Sequence, residues 1–278
     1  MSDAAKRDDR RTVLTTGANS GIGLATTLEL ARRGHRSIGT VRSTDKAAIV
    51  HQAAAEAGVE VETALLDVTD AVIGASVVAE YQPDALVNNA GFSITGAIED
   101  VSDDEARFAF ETMVLAPMRL ARLSVPHMRA QSFGRIINVS SIYGRTSTPL
   151  TGWYQGCKHA LEGLSDALRM EVARDGIKVV LVEPGGFKTG IWEETEREVA
   201  KRAGSRFDDN YNRTLSTANW WKSMMGEPAH CAAVIADCIE GNPRARYLVG
   251  VDAQALGLLE TLAPTGLRDR ITRLTLGL

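Results

Sequence analysis

The chain has 278 residues, 44% of them apolar, and a net charge of −4, with a sequence pI near 5.8. That length suits one large α/β domain or two small ones, the apolar share can fill a core, and no linker divides the chain. The mild acidity argues against nucleic acid or an anionic membrane as a partner, and no apolar run is long enough to span a bilayer. Cys157, Cys231 and Cys238 lack Cys-x-x-Cys spacing and the five histidines are scattered, which argues against a disulfide framework, a zinc site or metal-dependent hydrolysis.

Residues 1–11 alternate charges and carry no apolar segment, so they read as a solvated tail without a secretory signal, and a cytoplasmic location is the expectation. Thr12–Thr16 reads as a strand, Gly17-Ala-Asn-Ser-Gly21-Ile-Gly23 as a glycine turn, and Leu24–Arg33, closed by Gly34, as a helix. Such a strand–turn–helix opens a dinucleotide fold: the glycines let the backbone approach a pyrophosphate, and the helix N-terminus offers it unpaired N–H groups. Strands at His35–Val41, Val59–Leu66 and Asp84–Asn88 alternate with helices near Thr44–Ala57 and Thr69–Tyr81, which predicts a parallel, doubly wound sheet. At the tip of the second strand stands Thr40-Val-Arg42-Ser43 where an acid would hold a free ribose 2′-hydroxyl. An arginine there suits a 2′-phosphate, so NADP(H) is favoured over NAD(H).

The stretch with the most chemistry is Ser141 to Lys158. Gly134–Ser140 reads as a buried strand and a long amphipathic helix follows, so Tyr154 and Lys158, four apart at its start, share a face that Ser141 can reach from the strand tip. A phenol with an ordinary pKa of ~10 needs a nearby cation to work as a base near neutrality, and a serine hydroxyl can hold a carbonyl or alcohol oxygen beside it. Taken alone, Tyr-x-x-x-Lys is a modest signal in a chain with five tyrosines.

The order of the motifs is more specific. Thr16-Gly17-x-x-x-Gly21-Ile22-Gly23, Asp67-Val68, Asn88-Asn89-Ala90-Gly91, Ser141, Tyr154-x-x-x-Lys158 and Pro184-Gly185-x-x-x-Thr189 follow one another as in the short-chain dehydrogenase/reductase family, and the resemblance covers roughly residues 12–250. It implies a single Rossmann domain with a mainly parallel, about seven-stranded sheet, and hydride transfer between a nicotinamide and a carbonyl carbon, as in hydroxysteroid dehydrogenases and ketoreductases. By the resemblance, Gly17, Asn19, Ser20, Gly21, Ile22 and Gly23 wrap the pyrophosphate and adenosine ribose, Arg42 the 2′-phosphate, and Asp67 and Val68 the adenine edge. Asn89, Ala90 and Gly91 form the central wall, while Pro184, Gly185 and Thr189 flank the carboxamide. Tyr154 would be the general acid/base, Lys158 would hold the nicotinamide ribose and lower the phenol pKa, and Ser141 would position the reacting oxygen.

One position departs from the family's pattern: Met113 stands where an asparagine usually holds a water at a helix kink, and methionine donates no amide hydrogen bond. Residues 190–226 are too long for an ordinary βα connection and read as a substrate lid, with Trp192 and Trp221 as candidate contacts to an apolar ketone or alcohol. A helix from Glu227, a last strand at Arg244–Val249 and a 251–278 tail broken by Pro264 complete the chain. That tail can cap the pocket, pack on another subunit or touch a membrane, and Glu260 and Asp269 rank the membrane last. The family's usual pairing through two long helices, here near Ser102–Ala130 and Gly152–Arg174, implies a homodimer or homotetramer. The alternative to an enzyme is a cofactor-binding sensor or structural protein with little turnover.

Overall fold

The computed structural model describes residues 10–221 and 225–278. Seven strands, β1 (Thr12–Thr16), β2 (Arg36–Val41), β3 (Glu62–Leu65), β4 (Ala85–Asn88), β5 (Gly134–Val139), β6 (Ile177–Pro184) and β7 (Arg246–Val249), form one sheet in the order β3-β2-β1-β4-β5-β6-β7. Every pairing is parallel. Strand alternation sorts the core into two layers. Leu14, Leu86 and Ile136 face one side, with α3 (Ala71–Tyr81) and α5 (Ala116–Ala130) packed on them through Val77, Val78, Leu120 and Met128. Val13, Val87 and Ile137 face the other, covered by Leu30 of α1 (Gly21–Arg32) and by Cys231, Ile235, Cys238 and Ile239 of α9 (Pro228–Glu240). The two cysteines are core side chains, as their seven-residue spacing predicts. Each fully buried Leu or Ile contributes roughly 1.5–3 kcal/mol.

Local chemistry sets the helix ends. Ser43 caps α2 (Thr44–Ala57) by accepting from Lys46 N, and Gly58 closes it at φ 66°. Asp70 caps α3 by accepting from Val72 N and Ile73 N, and Ser102 with Glu105 forms a capping box at α4 (Asp103–Phe110). The long helix expected over Ser102–Ala130, with its kink at Met113, is interrupted by a π turn at Glu111–Leu115 before α5. The cause is Pro117: it has no N–H for the Met113 carbonyl four residues back, and Ala116 N bonds Glu111 O, five back.

Downstream come α6 (Gly152–Glu171), two helices in the segment expected to be a lid, α7 (Ile191–Ala200) and α8 (Asp208–Trp221), and, after β7, α10 (Val251–Leu262) and α11 (Thr265–Leu276), which Pro264 separates. Among the described residues no helix is long and apolar enough to cross a membrane. Because all strands run one way, the ends of β1, β2, β4, β5 and β6 open on the same edge. The order reverses between β1 and β4, where a doubly wound sheet leaves its crevice.

Candidate active site

The turn after β1 is built for close backbone approach. Gly17 and Gly21 adopt φ of +68° and +52°, and a Cβ at Gly23 would lie 2.3 Å from the Gly17 carbonyl oxygen and 2.4 Å from Asn89 Nδ2. Asn89 locks this turn: its Nδ2 donates to Thr16 O at 2.9 Å and Gly17 O at 3.3 Å. The Thr16 hydroxyl accepts from Asn89 N and Ala90 N, both at 2.9 Å. Ser20, the N-cap of α1, makes no side-chain cap bond, and the first turn carries no acid, so the α1 amides face the crevice without a competing anion. Asn19 and Ile22 are half-buried beside them.

At the end of β2, Arg42 is exposed. Burial opposes ionisation of Asp67, but the Thr69 hydroxyl and amide outweigh it and, with the Arg42 charge, hold the carboxyl below its ordinary range. Val68 is buried, and its carbonyl accepts from Arg119. Thr189, below the lid, touches the glycine turn, where a Cβ at Gly21 would sit 2.9 Å from the Thr189 methyl. A cradle with no room for side chains and open helix amides fits a dinucleotide.

Ser141, Tyr154 and Lys158 come together at the end of β5. Ser141 accepts from Tyr143 N at 3.1 Å, which aims its side chain across the turn. Tyr143 meets Tyr154 edge to face with centroids 6.4 Å apart. Lys158 is buried, its Nζ donating to Val139 O at 2.9 Å and lying 5.6 Å from the Tyr154 ring centroid. Burial pushes the phenol up to about 12, with the adjacent Ser141 hydroxyl pulling it back, and burial brings Lys158 down to about 8. The expected lowering of the phenol by Lys158 is outweighed by burial, and the ammonium donates to a backbone carbonyl.

Behind this group lies a charged cluster that the sequence reading missed. Glu162 follows Lys158 by one turn, and Arg246 of β7 reaches Glu162 at 3.1 Å, Asp166 at 2.6 Å and Glu183 of β6 at 3.3 Å. Glu183 is wholly buried; burial and the neighbouring Glu162 carboxylate raise it to about 7, against the pull of Arg145 and Arg246. The i,i+4 spacing from Lys158 to Glu162 was the one available signal.

Met113 is buried inside the π turn and packs on the loop after β4, where a Cβ at Gly91 would lie 3.5 Å from its Sδ. It also joins Ile94, Ala109 and Cys157 in an apolar cluster, so the core role and the departure from the asparagine pattern coexist. Of the lid's apolar side chains, Tyr211 is an anchor: its hydroxyl donates to Asp100 at 2.6 Å and accepts from Ala97 N at 2.7 Å. The side chains of Trp192 and Trp221 lie outside the described residues. Pro184 ends β6, Gly185 N donates to Val249 O, and Gly186 N to Asp252 of α10 at 2.6 Å.

The family model for short chain dehydrogenases matches residues 11–200. An uncharacterized oxidoreductase of Bacillus subtilis is 34% identical over 92% of this chain and 95% of its own length. A 3-ketodihydrosphingosine reductase of Bacteroides thetaiotaomicron is 32% identical over 88% and 89%. The crystal structure of a short-chain dehydrogenase from Streptomyces avermitilis superposes with a TM-score of 0.76 at 33% identity, covering 94% of both chains. Other structural neighbours hold NADPH or NADP, and one holds NAD. A parallel sheet with its crevice at the β1/β4 reversal, matched along nearly its whole length by these proteins, places the chain in the short-chain dehydrogenase/reductase family, as an NAD(P)-dependent oxidoreductase acting on a CH–OH or C=O group.

Proposed function

We propose that the protein is an NADP(H)-dependent oxidoreductase that interconverts a ketone and a secondary alcohol on an apolar small molecule, with Tyr154 as general acid/base. The observation that carries this reading is the convergence of Ser141, Tyr154 and buried Lys158 at the end of β5, beside the glycine cradle. The nicotinamide, when bound, supplies or accepts the hydride. The chain's own residues handle the oxygen and its proton. Ser141 donates a hydrogen bond to the substrate oxygen. In reduction the Tyr154 hydroxyl gives its proton to the same oxygen as negative charge builds there, and in oxidation the phenolate takes it back. The phenol, raised by burial, is protonated and neutral at neutral pH and can donate that proton.

Lys158, cationic below about pH 8, stabilises the phenolate left behind and orients the nicotinamide ribose. The preference for NADP(H) is supported by exposed Arg42 at the tip of β2, where Thr40-Val-Arg42-Ser43 carries no acid, and by the NADPH and NADP held in several neighbours. A ketone substrate is supported by the relative named a 3-ketodihydrosphingosine reductase. Residues 190–226 act as the substrate lid. Exposed Phe108 and Leu115 along α4 and the π turn, with Leu164 and Met170 on α6, support a homodimer or tetramer through those helices.

The test follows NADPH oxidation at 340 nm with a panel of aliphatic, aryl and steroid ketones. Turnover is expected, falling by about 10²–10⁴-fold in Tyr154→Phe, and Arg42→Ala should raise KM for NADPH while leaving that for NADH unchanged. Tight NADPH binding with no turnover in either direction would sink the enzymatic reading and leave a cofactor sensor.

A further inference from the structure

Arg246 of β7 faces more acid than it has hydrogens to give. Its Nη2 donates to Asp166 at 2.6 Å, and its single Nε–H donates to Glu162 Oε2 at 3.1 Å. Glu183 Oε1 lies 3.3 Å from the same Nε, yet is buried without a hydrogen bond among the described residues. The other Glu183 oxygen stands 3.5 Å from Arg145 Nη1. Two buried carboxylates, one from α6 and one from β6, thus converge on one N–H, where a second negative charge is strongly disfavoured. Glu183, the less well served of the two, is the one placed to keep a proton.

The pair stands directly behind the reactive group. Glu162 is one turn past Lys158 on α6, and both are buried. Burial brings Lys158 down, and the groups that oppose it are the Cys157 thiol and the Glu162 carboxylate. Burial pushes Cys157 up to about 11, so Glu162, paired with Arg246, is the one of the two that carries charge near neutrality. The strand ends join the three elements: Lys158 donates to Val139 O, and the next residue, Ser140, donates through its N to Val182 O beside Glu183. Ser140 Oγ and Glu162 Oε1 would lie 2.7 and 3.2 Å from a Cβ at Gly144, so the glycine leaves room for both. The charged and titratable groups around Glu162 are therefore Lys158 and Asp166 from α6, Glu183 from β6, Arg246 from β7 and, beyond Glu183, Arg145 from the turn after β5.

We propose that Glu162 and Glu183 form a buried pair holding one proton, and that through Glu162 this pair sets the charge of Lys158. Their part in turnover, as positioning residues, rests on the Tyr154 and Lys158 reading above; the pair and its hold on the lysine do not. Infrared difference spectra of the full-length protein should show a protonated buried carboxyl whose band disappears as pH rises through about 7 and is missing from Glu183→Gln. In protein carrying isotope-labelled lysine, the Lys158 Cε resonance, assigned by its loss in Lys158→Met, should titrate near 8 in wild type. Glu162→Gln should lower that midpoint by about one pH unit, because the ammonium loses a negative neighbour. Glu162→Asp, which keeps the charge, should restore most of it, whereas a merely structural Glu162 would leave the midpoint in place in both. The upper pH limit of kcat/KM for ketone reduction should fall with the midpoint. A wild type with no carboxyl band titrating near neutrality overturns the proposal, as does a Lys158 midpoint that Glu162→Gln leaves unmoved. Both titrations as expected with no turnover of any ketone would remove the catalytic reading and leave the pair standing.

Discussion

The strand-end half of the site and the lid-and-tail half are held by different kinds of bond. At the strand ends, buried polar groups interlock: Asn88 donates to Asn138, Asn138 to Ser165, Asn89 to the Gly17 turn and Lys158 to Val139 O. The lid is fastened by a few side chains. Arg202 of the segment after α7 pairs with Glu105 at 2.6 Å, holding that carboxyl at about 2, and Tyr211 grips Asp100 and Ala97 N. Glu194 accepts from Ser93 N across the two halves. The strand-end half is thus held by backbone and buried amides that tolerate little change, while the segment after Thr189 hangs from contacts that can be exchanged one at a time.

Substitutions on the two sides should separate accordingly. The largest effect belongs to Gly23→Ala: a Cβ 2.3 Å from a carbonyl oxygen forces the turn apart, and calorimetry should register no NADPH binding. Next is Glu183→Gln. A carboxyl raised from an ordinary 4.5 to about 7 contributes fully below pH 4.5 and loses that contribution as pH rises through 7. Thermal melts should therefore show wild type losing roughly 2–3 kcal/mol relative to the glutamine variant between those limits.

On the lid side, Tyr211→Phe leaves the buried Ala97 N–H without its acceptor at a cost of about 1–3 kcal/mol. It should raise KM for the ketone several-fold with kcat little changed, and an equal fall in both constants would mean that the lid is part of the reactive geometry. The smallest effect is expected of Met113→Asn, a few-fold gain in kcat with an altered pH profile, checked by proton-inventory kinetics. An unchanged profile would count against any bearing of this position on proton exchange.

The strand-end half was legible because its requirements are local. Glycines in a strand–turn–helix, an i,i+4 Tyr–Lys pair and short continuous apolar strands each announce themselves within a few residues. The π turn was half legible: the family resemblance puts a kink at Met113, but not the π geometry that Pro117 imposes. Arg246 and Glu162, 84 residues apart, meet only because β7 lies beside β6, and no local pattern foretells that. The direction of the Tyr154 shift was misread because a nearby cation is visible in the sequence and desolvation is not. The lid's aromatics invited assignment to a pocket, whereas Tyr211 serves as a fastener.

The contact between Asp252 and the glycine pair after β6 bears on how the protein can be handled. A Cβ at Gly185 would lie 2.2 Å from an Asp252 oxygen, and Gly186 N donates to the same carboxylate. The carboxyl terminus is therefore not a removable appendage. Trimming the chain after β7 to obtain a minimal catalyst, or a better-behaved sample, would strip a hydrogen-bond acceptor from the strand tip beside the reactive centre and register as lost turnover before lost solubility. Affinity tags and fusions that extend beyond Leu278 avoid that fault.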